Sequence, residues 1–561
     1  MKKTALILSL AVAWSALSLN AQSVVNTVHN LSVSGPGSIR AASETEVCIF
    51  CHTPHDSRPE SPLWNRQDPG VTYVLYNSST VQAMTGQPDG SSVLCLSCHD
   101  GTIALGNVLS RTVDIQMTGG VTRMPSGSRN LSTDLSDDHP VSFLYNSALA
   151  VADGQLRDPS AVLFPVTTEN GKLQCTSCHD PHTDIYGSFL VSSNRFSELC
   201  IACHDRDYWA TSGHSSSTRT WNGIGTDPWP HTEYTTVAEN GCENCHTPHN
   251  AGGKYGLLDN LAEEDNCLKC HNGNVASTNI SSELAKPYRH NVTGYTLVHD
   301  AGEEELVTTR HVECHDCHNP HAAMNSPATP PASNGFLAGV RGISQSGNPV
   351  DPVTYQYELC YRCHADSPDK PAPMTLRQIV QNNVRLEFDP SNPSFHPVVT
   401  AGRNNDSPSL IGPDWTEASL VYCTHCHAGN GTGSTGGPHG SVYPGILKYR
   451  YDKADNTPES ASAYELCYRC HSRTSILGDV SFGEHNKHID EERTPCNACH
   501  DPHGISSTQG TATNNTHLIN FDRNIVLPAG SGIVRFVDTG PGHGYCQLNC
   551  HGKMHNWTMS Y

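Results

Sequence analysis

The chain has 561 residues, of which 36% are apolar and 7% aromatic, so side chains alone would form a thin hydrophobic core at this length. Its formal charge of −21 argues against nucleic-acid binding, which needs clustered Lys and Arg. The 24 cysteines are too many for an ordinary globular protein, and their spacing indicates what they bind.

The first segment, MKKTALILSLAVAWSALSLNA, has Lys2 and Lys3, then an apolar run, then the small residue Ala21. This order is typical of a Sec signal peptide, and we predict that residues 1–21 are removed. The apolar run from Thr4 to Leu19 is shorter than the roughly 20 residues that a membrane span needs. We therefore expect an exported, soluble protein in the periplasm, at the outer surface or outside the cell.

Twelve motifs, each a cysteine pair followed at once by histidine, use all 24 cysteines. Eleven read C-x-x-C-H, and the twelfth reads CQLNCH, with three residues between its cysteines. In chain order, motifs 1 to 12 contain the pairs Cys48 and Cys51, Cys95 and Cys98, Cys175 and Cys178, Cys200 and Cys203, Cys242 and Cys245, Cys267 and Cys270, Cys314 and Cys317, Cys360 and Cys363, Cys423 and Cys426, Cys467 and Cys470, Cys496 and Cys499, and Cys546 and Cys550. The histidines directly after these pairs are His52, His99, His179, His204, His246, His271, His318, His364, His427, His471, His500 and His551.

This pattern is the attachment signature of c-type haem. Two thiols on one helical turn can reach the two vinyl groups of one haem, and the next residue can bind the iron. A disulfide framework or a zinc knuckle does not require a histidine after every pair. We predict twelve covalent haems c, with the motif histidines as proximal ligands. At motif 12 the alternative is a disulfide beside a spare histidine, and the position of His551 favours haem.

Odd-numbered and even-numbered motifs differ in the residues on their C-terminal side. Most odd-numbered motifs continue into x-Pro-His, and after motif 9 a glycine-rich insertion reaches GGPHG instead. The histidines of these Pro-His units are His55, His182, His249, His321, His439 and His503. The alternation predicts six tandem two-haem modules, over residues 22–135, 136–212, 213–280, 281–390, 391–480 and 481–561.

The alternation resembles the doubled C-x-x-C-H family of multihaem cytochromes, which is typical of bacteria that respire on extracellular metals. The tail segments HLINFDRNIVLP, FVDTG and CHGKMH are similar to that family as well. The resemblance implies that each Pro-His histidine is the distal ligand of a neighbouring haem, and that a histidine upstream of each pair serves the first haem of that pair. In this chain it assigns the Pro-His histidines to the even-numbered motifs.

The resemblance assigns upstream histidines to the odd-numbered motifs. His29, His139 and His396 are the single candidates in the first, second and fifth modules. The third module offers His214 or His231, and we take His231. The fourth offers His290, His299 or His311, and we take His290. The sixth offers His485 or His488, and we take His488. His315 and His425 lie inside their own motifs and are not expected to be distal ligands.

The composition, with 46 Gly and 36 Pro, predicts little regular secondary structure. The expected fold is that of a multihaem cytochrome c: short helices at the motifs, long loops and a few short β-hairpins around a packed chain of haems. The clearest strand signals are HLINFDRNIV, residues 517–526, and GIVRFVDT, residues 532–539, which we expect to form a hairpin.

Iron with histidine on both sides has no open position for a substrate. We therefore expect an electron carrier rather than an enzyme, which moves respiratory electrons toward other cytochromes, redox proteins or extracellular metal oxides. Two alternatives stay open. One is a reductase of a small oxyanion with one open haem. The other is a subunit of a conducting filament, in which His29 or His555 supplies a ligand across the interface.

Overall fold

The computed structural model describes residues 23–55, 57, 63–294, 311–368, 370–404 and 406–556. These residues form two compact units. Unit 1 contains the described residues up to Tyr76, together with Gln82–Asn194 and Glu198–His204, and carries motifs 1 to 4. Unit 2 contains Asn77–Val81, Arg195–Ser197 and the described residues from Asp205 onward, and carries motifs 5 to 12. The predicted signal peptide lies outside the described residues.

Most of the helices are single turns, and many of them contain a motif. The α-helices are α1 (Gly90–His99), α2 (Ser147–Asp153), α3 (Cys175–Cys178), α4 (Glu198–Ile201), α5 (Gly213–Ser216), α6 (Val237–Asn240), α7 (Glu263–Leu268), α8 (Ile280–Leu284), α9 (Cys314–Cys317), α10 (Gln356–His364), α11 (Val384–Glu387), α12 (Cys423–Cys426), α13 (Glu465–Tyr468), α14 (Arg473–Leu477) and α15 (Cys496–Cys499). Motifs 1 and 5 lie on the 3-10 turns Cys48–Phe50 and Gly241–Asn244. A π-helical turn covers Lys487–Glu491. Within the described ranges, no helix is both long enough and apolar enough to cross a bilayer.

Further 3-10 turns occur in the connections between motifs. They cover Val24–Asn26, Thr118–Gly120, Pro159–Ala161, Arg195–Ser197, Trp209–Thr211, Tyr255–Leu257, Gly335–Leu337 and Thr516–Leu518. The first cysteines of motifs 1 to 11 thus all lie on helical turns, as the fold prediction required.

The strands are short except near the C-terminus. They are β1 (Val74–Leu75), β2 (Asp134–Leu135), β3 (Tyr288–Arg289), β4 (Gly342–Ile343), β5 (Pro349–Val350), β6 (Gly440–Ser441), β7 (Val526–Leu527), β8 (Arg535–Gly540), β9 (His543–Cys550) and β10 (Lys553–His555). Strand β1 pairs in parallel with β2, while β3 pairs with β6, and β4 with β5, in antiparallel fashion.

Strand β9 is the centre of the C-terminal sheet and pairs with β7, β8 and β10. The two segments expected to form a hairpin do contain strands, β7 and β8, but these strands do not pair with each other. Val526 lies opposite Cys550 and Arg535 lies opposite Gln547, so both strands use β9 as their partner. The predicted hairpin is therefore wrong, because both strands pair with β9, the strand that carries motif 12, instead of with each other.

The buried apolar residues form several small clusters rather than one core. One cluster of unit 1 contains Ile49 and Phe50 and packs against Cys51. In unit 2, a cluster around Tyr361 and Phe388 packs against Cys423. Other clusters pack against Cys203, Cys270 and Cys496. Hydrocarbon side chains thus gather beside motif cysteines, where a haem attached to those thiols would complete the apolar interior.

Candidate haem sites

The motif turns end where the next residues force them to end. Helices α3 and α9 stop at the second cysteine, and the next residues, His179 and His318, are extended, with φ of −123° and −132°. In both motifs a proline lies two residues further on, and it prevents the helix from continuing. Motif 8 lacks this proline, and α10 continues through His364. The proline therefore turns the motif histidine away from the helix axis.

In several motifs the residue before the second cysteine caps the turn. Its side chain accepts a hydrogen bond from the backbone N–H that precedes the first cysteine, as in a capping box. The pairs are Ser177 with Gln174 (3.1 Å), Asp316 with Glu313 (2.8 Å) and His425 with Tyr422 (3.2 Å). The Nδ1 atom of His425 is thus occupied in capping its own motif.

The motif histidines use their Nδ1 atoms for hydrogen bonds within the protein. Six Nδ1 atoms lie 2.7 to 3.0 Å from backbone carbonyl oxygens: those of His99, His179, His246, His318, His427 and His500. The Nδ1 atom of His471 lies 3.0 Å from the hydroxyl of Ser409. Donation from Nδ1 places the lone pair of the ring on Nε2, the nitrogen that would bind a metal, and fixes the direction of the ring.

The imidazole rings face each other in pairs with nearly constant spacing. In unit 1 the ring centres are 6.1 to 6.2 Å apart for His52 with His182, His29 with His99, and His139 with His204. In unit 2 they are 6.0 to 6.3 Å apart for His246 with His321, His214 with His271, His318 with His439, His290 with His364, His427 with His503, and His485 with His500. A histidine nitrogen binds a first-row metal at about 2.0–2.1 Å, so two imidazole centres on opposite sides of one ion lie roughly 6.2 Å apart. The paired rings fit a six-coordinate haem iron.

Burial lowers the pKa of several of these imidazoles and so favours the neutral form that ligation requires. Burial, followed by the neighbouring histidine, lowers the pKa of His439 and of His471 to about 4, and that of His485 to about 3. The neighbour of His439 is His318, and that of His471 is His396. His396 thus joins the set of upstream histidines that lie near a motif histidine.

One distal imidazole has a carboxylate partner. The Nδ1 atom of His503 lies 2.9 Å from Oε2 of the buried Glu387. Burial lowers the pKa of His503, but the Glu387 carboxylate outweighs burial and leaves that pKa above its ordinary value. An ionised acceptor on Nδ1 makes an imidazole a stronger electron donor to a metal bound at Nε2.

The paired rings correct the assignment taken from the resemblance. The Pro-His residues lie beside odd-numbered motifs: His182 beside motif 1, His321 beside motif 5, His439 beside motif 7 and His503 beside motif 9. The upstream histidines lie beside even-numbered motifs: His29 beside motif 2, His139 beside motif 4, His214 beside motif 6 and His290 beside motif 8. The expected parity is reversed at these motifs, because these four Pro-His turns reach back to the module before them.

The same turn also orients the upstream histidine that is predicted to be the second distal ligand of that earlier module. His29 donates from Nδ1 to the carbonyl of Pro181 at 3.1 Å, and Pro181 precedes His182. The equivalent bonds join His214 to Pro320 (2.8 Å) and His290 to Pro438 (3.0 Å), and His396 donates to Pro502. One Pro-His turn therefore serves both motifs of the preceding module, one through its imidazole and one through its proline carbonyl.

Some predicted ligands are placed differently or are left as predictions. His231 is exposed, and His214 rather than His231 faces a motif histidine in its module. Of the two candidates in the last module, His485 faces motif 11. His299 lies outside the described residues. The roles of His55 and His249 as iron ligands stay predictions.

The cysteines bring consecutive motifs together within each unit. All 24 are free thiols. First cysteines of consecutive motifs lie beside each other across module boundaries, in the pairs Cys95 with Cys175, Cys267 with Cys314, Cys360 with Cys423, and Cys467 with Cys496. Second cysteines approach each other within a module, as Cys51 and Cys98 do, and burial followed by this neighbour raises the pKa of Cys51 to about 12. Within each unit, the motifs thus follow one another in space in their sequence order.

A family model and two known proteins match parts of this chain. The family model described as "Doubled CXXCH motif" matches residues 165–208, 235–276 and 417–475. The C-type cytochrome OmcS of Geobacter sulfurreducens is 24% identical over 421 residues, which cover 57% of this chain and 92% of that protein. The multiheme cytochrome MtrA of Shewanella baltica is 23% identical over 206 residues, which cover 35% of this chain and 43% of that protein.

The chain is a doubled C-x-x-C-H multihaem c-type cytochrome. Its motifs bind haem c covalently, and its chemistry is electron transfer. Within the described parts of the cytochrome, no group of three or more His, Cys, Asp or Glu side chains could hold a separate metal ion.

Motif 12 of the cytochrome departs from the other motifs. Its cysteines lie on strand β9 rather than on a helical turn. The predicted proximal ligand, His551, has its Nε2 atom 2.7 Å from Oδ1 of Asp455. The role of His551 as the proximal ligand of a haem at motif 12 stays a prediction.

Proposed function

We propose that the protein conducts electrons through twelve covalent haems, each held between two histidines. The observation that carries this proposal is the set of imidazole pairs whose centres lie 6.0 to 6.3 Å apart at successive motifs. Haem held in this way cycles between its ferric and ferrous states without an open position for a substrate. The protein contributes the neutral imidazoles, the carbonyls that orient them and the apolar clusters beside the thiols.

Sequence order is the proposed order of conduction within each unit. Support comes from the thiols, since neighbouring first cysteines such as Cys360 and Cys423 belong to adjacent motifs. Haems attached to touching thiols have edges within a few ångströms of each other. Each unit therefore offers an unbroken path from its first motif to its last.

The proposed location is the periplasm or the cell exterior, and the proposed partners are other cytochromes, redox proteins and extracellular metal oxides. The signal-peptide pattern over residues 1–21 supports export. The formal charge of −21, to which haem propionates would add, favours basic partner surfaces and cationic mineral surfaces.

Electron paramagnetic resonance of the oxidised protein, with and without cyanide, tests the proposal. We expect low-spin signals that cyanide leaves unchanged, and an intact mass that corresponds to twelve haems. A high-spin fraction that shifts with cyanide would instead support the reductase alternative, because cyanide binds only where iron has an open position.

His55 favours a second candidate function, that of a subunit in a conducting filament. Its counterparts His182, His321 and His439 each serve the preceding module. His55 is exposed, and in the described part of the chain no motif histidine faces it. We infer that His55 can ligate a haem of a second copy.

The sequence analysis expected His29 or His555 to supply a ligand to a second copy. Both histidines instead face a histidine of their own chain, since His29 faces His99 and His555 faces His488. Cryo-microscopy of the secreted protein tests the filament hypothesis. We expect filaments from the wild type and isolated particles from His55→Ala. Isolated particles from both would end the hypothesis.

A further inference from the structure

The axial histidines of unit 2 differ in the kind of oxygen that their Nδ1 atoms contact. Some contact backbone carbonyls, as His318 and His427 do at 3.0 and 2.7 Å. His503 contacts a carboxylate, that of Glu387, at 2.9 Å. Others, at the sites of motifs 7, 10 and 11, contact hydroxyls. These are His439 with Thr435 (2.7 Å), His471 with Ser409 (3.0 Å) and His485 with Ser481 (3.1 Å).

Four of these sites can be compared directly, because one of their two histidines has the same kind of partner. At motifs 7, 9, 10 and 11 that histidine contacts a backbone carbonyl, in the pairs His318 with Phe336, His427 with Gly445, His396 with Pro502, and His500 with His517. The other histidine makes the difference, since its partner is a carboxylate at motif 9 and a hydroxyl at motifs 7, 10 and 11. The Nδ1 partners of the four sites therefore differ in one kind of oxygen.

The three kinds of oxygen differ in how strongly they accept a hydrogen bond. With Nε2 on a metal, Nδ1 carries the ring proton and is the donor. A carboxylate is the strongest acceptor, because it is charged. Amide resonance places negative charge on a carbonyl oxygen, whereas a hydroxyl oxygen lacks this charge and keeps a proton of its own. A stronger acceptor makes the ring a stronger electron donor and so favours the ferric state, which lowers the midpoint potential.

The fold holds Ser409 beside motif 10. Ser409 is 7% exposed, and its carbonyl accepts a hydrogen bond of 2.6 Å from the N–H of Ser472. The next residue, Leu410, forms a β-bridge with His471. The backbone around the hydroxyl is thus paired with the segment that carries the histidine, and burial keeps water from competing for Nδ1.

Thr435 and Ser481 each precede their histidine by four residues. Thr435 lies in the glycine-rich insertion after motif 9, where a Cβ atom at Gly437 would lie 2.9 Å from Cε1 of His439. A side chain at Gly437 would collide with the imidazole, so glycine lets the chain turn closely around the ring. The insertion that separates the Pro-His unit from motif 9 therefore also brings a hydroxyl partner for His439.

We propose that Thr435, Ser409 and Ser481 set the midpoint potentials at motifs 7, 10 and 11 above that at motif 9, where Glu387 sets the lowest value of the four. This inference rests on the proposed function, because it presumes a haem between two histidines at each motif. In a partly reduced protein, electrons then occupy motifs 7, 10 and 11 before motif 9. The step from motif 9 to motif 10 moves one electron from ferrous to ferric iron, and no bond or proton changes place. The three hydroxyl residues are positioning residues, since they act on the iron through an imidazole.

Two substitutions at Thr435 test the assignment in the full-length haem protein. Thr435→Val removes the acceptor and keeps the shape of the side chain, so the midpoint potential of one haem should rise. Thr435→Asp supplies a carboxylate, so that potential should fall. Each change should alter the ferric-to-ferrous ratio at a fixed applied potential by about fivefold, the effect of one hydrogen bond. Potentiometric titration followed by electron paramagnetic resonance measures this ratio in the low-spin signal of the near-parallel pair His318 and His439.

Thr432, an exposed residue of the same insertion, provides matched controls. Thr432→Val should leave the titration unchanged, and Thr432→Asp, which adds the same charge at an exposed position, should shift it less than Thr435→Asp. A residue that only supported the fold would shift the potential in one direction whatever replaces it. Shifts of the same sign from both Thr435 variants would therefore overturn the proposal.

Ser481→Ala should likewise raise the potential of one haem, and this variant decides the question if Thr435→Asp fails to fold. Titration curves of Thr435→Val and Ser481→Ala that coincide with the wild-type curve, with every haem low-spin, would overturn the proposal and leave electron conduction standing. A cyanide-sensitive high-spin signal in the wild-type protein would instead overturn the proposed function.

Discussion

His246 and His321 face each other with their ring centres 6.1 Å apart and their planes within 9° of parallel. His214 and His271, in the same unit, stand 6.2 Å apart with their planes at 85°. The angle between two axial imidazoles sets the splitting of the iron d orbitals. Near-parallel pairs give rhombic low-spin resonance signals, and near-perpendicular pairs give highly anisotropic ones. We therefore expect two classes of signal in the oxidised protein.

Two variants use these two classes of signal to test whether the Pro-His histidines bind the haems of odd-numbered motifs and the upstream histidines those of even-numbered motifs. His321→Ala should remove one rhombic component and add a high-spin signal, whereas His214→Ala should remove one highly anisotropic component. The opposite pattern would mean that the Pro-His residues serve the even-numbered motifs after all. His231→Ala, which alters an exposed histidine, serves as the control and should change neither class.

A second prediction concerns Glu387, whose carboxylate lies 2.9 Å from Nδ1 of His503. This carboxylate strengthens electron donation to the iron of motif 9 and so favours the ferric state. Glu387→Gln should raise the midpoint potential of that haem by roughly 40 mV, which corresponds to about 1 kcal/mol. Potentiometric titration followed by visible spectroscopy measures the shift. Asp389→Asn, two residues away, removes a carboxylate that bonds Ser391 and should have a smaller effect.

A third prediction concerns Arg66, which is fully buried in unit 1. Its guanidinium donates at 2.9 to 3.2 Å to the carbonyls of Ser97, Ala104, Leu105 and Asn107. Its positive charge also acts on Cys51 and Cys98 and so lies beside motifs 1 and 2. A fixed positive charge favours the reduced state of a nearby haem. Arg66→Met should therefore lower the midpoint potentials at these two motifs.

The same substitution should lower the thermal unfolding temperature, since several buried carbonyls lose their donors at about 1–3 kcal/mol each. Arg111→Met is the matched control, because Arg111 is 44% exposed and its ion pair with Glu44 lies at the surface. Surface pairs contribute about 0–1 kcal/mol. An equal decrease in unfolding temperature in the two variants would show that the buried position of Arg66 does not contribute to stability.

A fourth prediction concerns pH. Hydrogen bonding from Arg195, and then from Thr236, lowers the pKa of Glu239 from 4.5 to about 2. Because this pKa is lower in the folded state, the ion pair stabilises the protein above pH 4.5, and that stabilisation is lost as the pH falls toward 2. Glu239→Gln should therefore reduce the decrease in unfolding temperature that the wild type shows as the pH falls from 4.5 toward 2.

Glutamine at this position still fits the capping box of α6, so the substitution removes the charge and keeps the local turn. Glu233→Gln, at an exposed position a few residues earlier, should show the same decrease in unfolding temperature at acid pH as the wild type. If both variants follow the wild-type curve, the ion pair of Arg195 and Glu239 makes no contribution to acid stability.

The proximal half of each site could be predicted from the sequence, because five or six adjacent residues carry it. The distal half could not, because it depends on long-range contacts. His52 and His182 meet only through the fold, and spacing alone does not decide whether a Pro-His histidine reaches an odd or an even motif. Glu387 and Arg66 carry no motif, and only their surroundings indicate that they influence a haem.

The placement of motif 12 did leave a signal in the sequence. In GYCQLNC, the apolar residues Cys546, Leu548 and Cys550 alternate with Gln547 and Asn549, which is the period of a half-buried strand. A strand at this motif, rather than a helical turn, could therefore have been predicted. The spacing of three between His485 and His488 likewise indicates that both belong to one helical turn.

The Pro-His turn that serves both motifs of the preceding module also bears on how such a chain lengthens in evolution. A tandem duplicate brings a Pro-His turn that supplies a distal histidine to the module before it. It receives a distal histidine in turn from the copy after it. Ligands and motifs then increase together, without a compensating mutation elsewhere. The length of the haem chain thus depends on the number of two-haem modules that the gene encodes, and a longer haem chain requires only further duplication of one module.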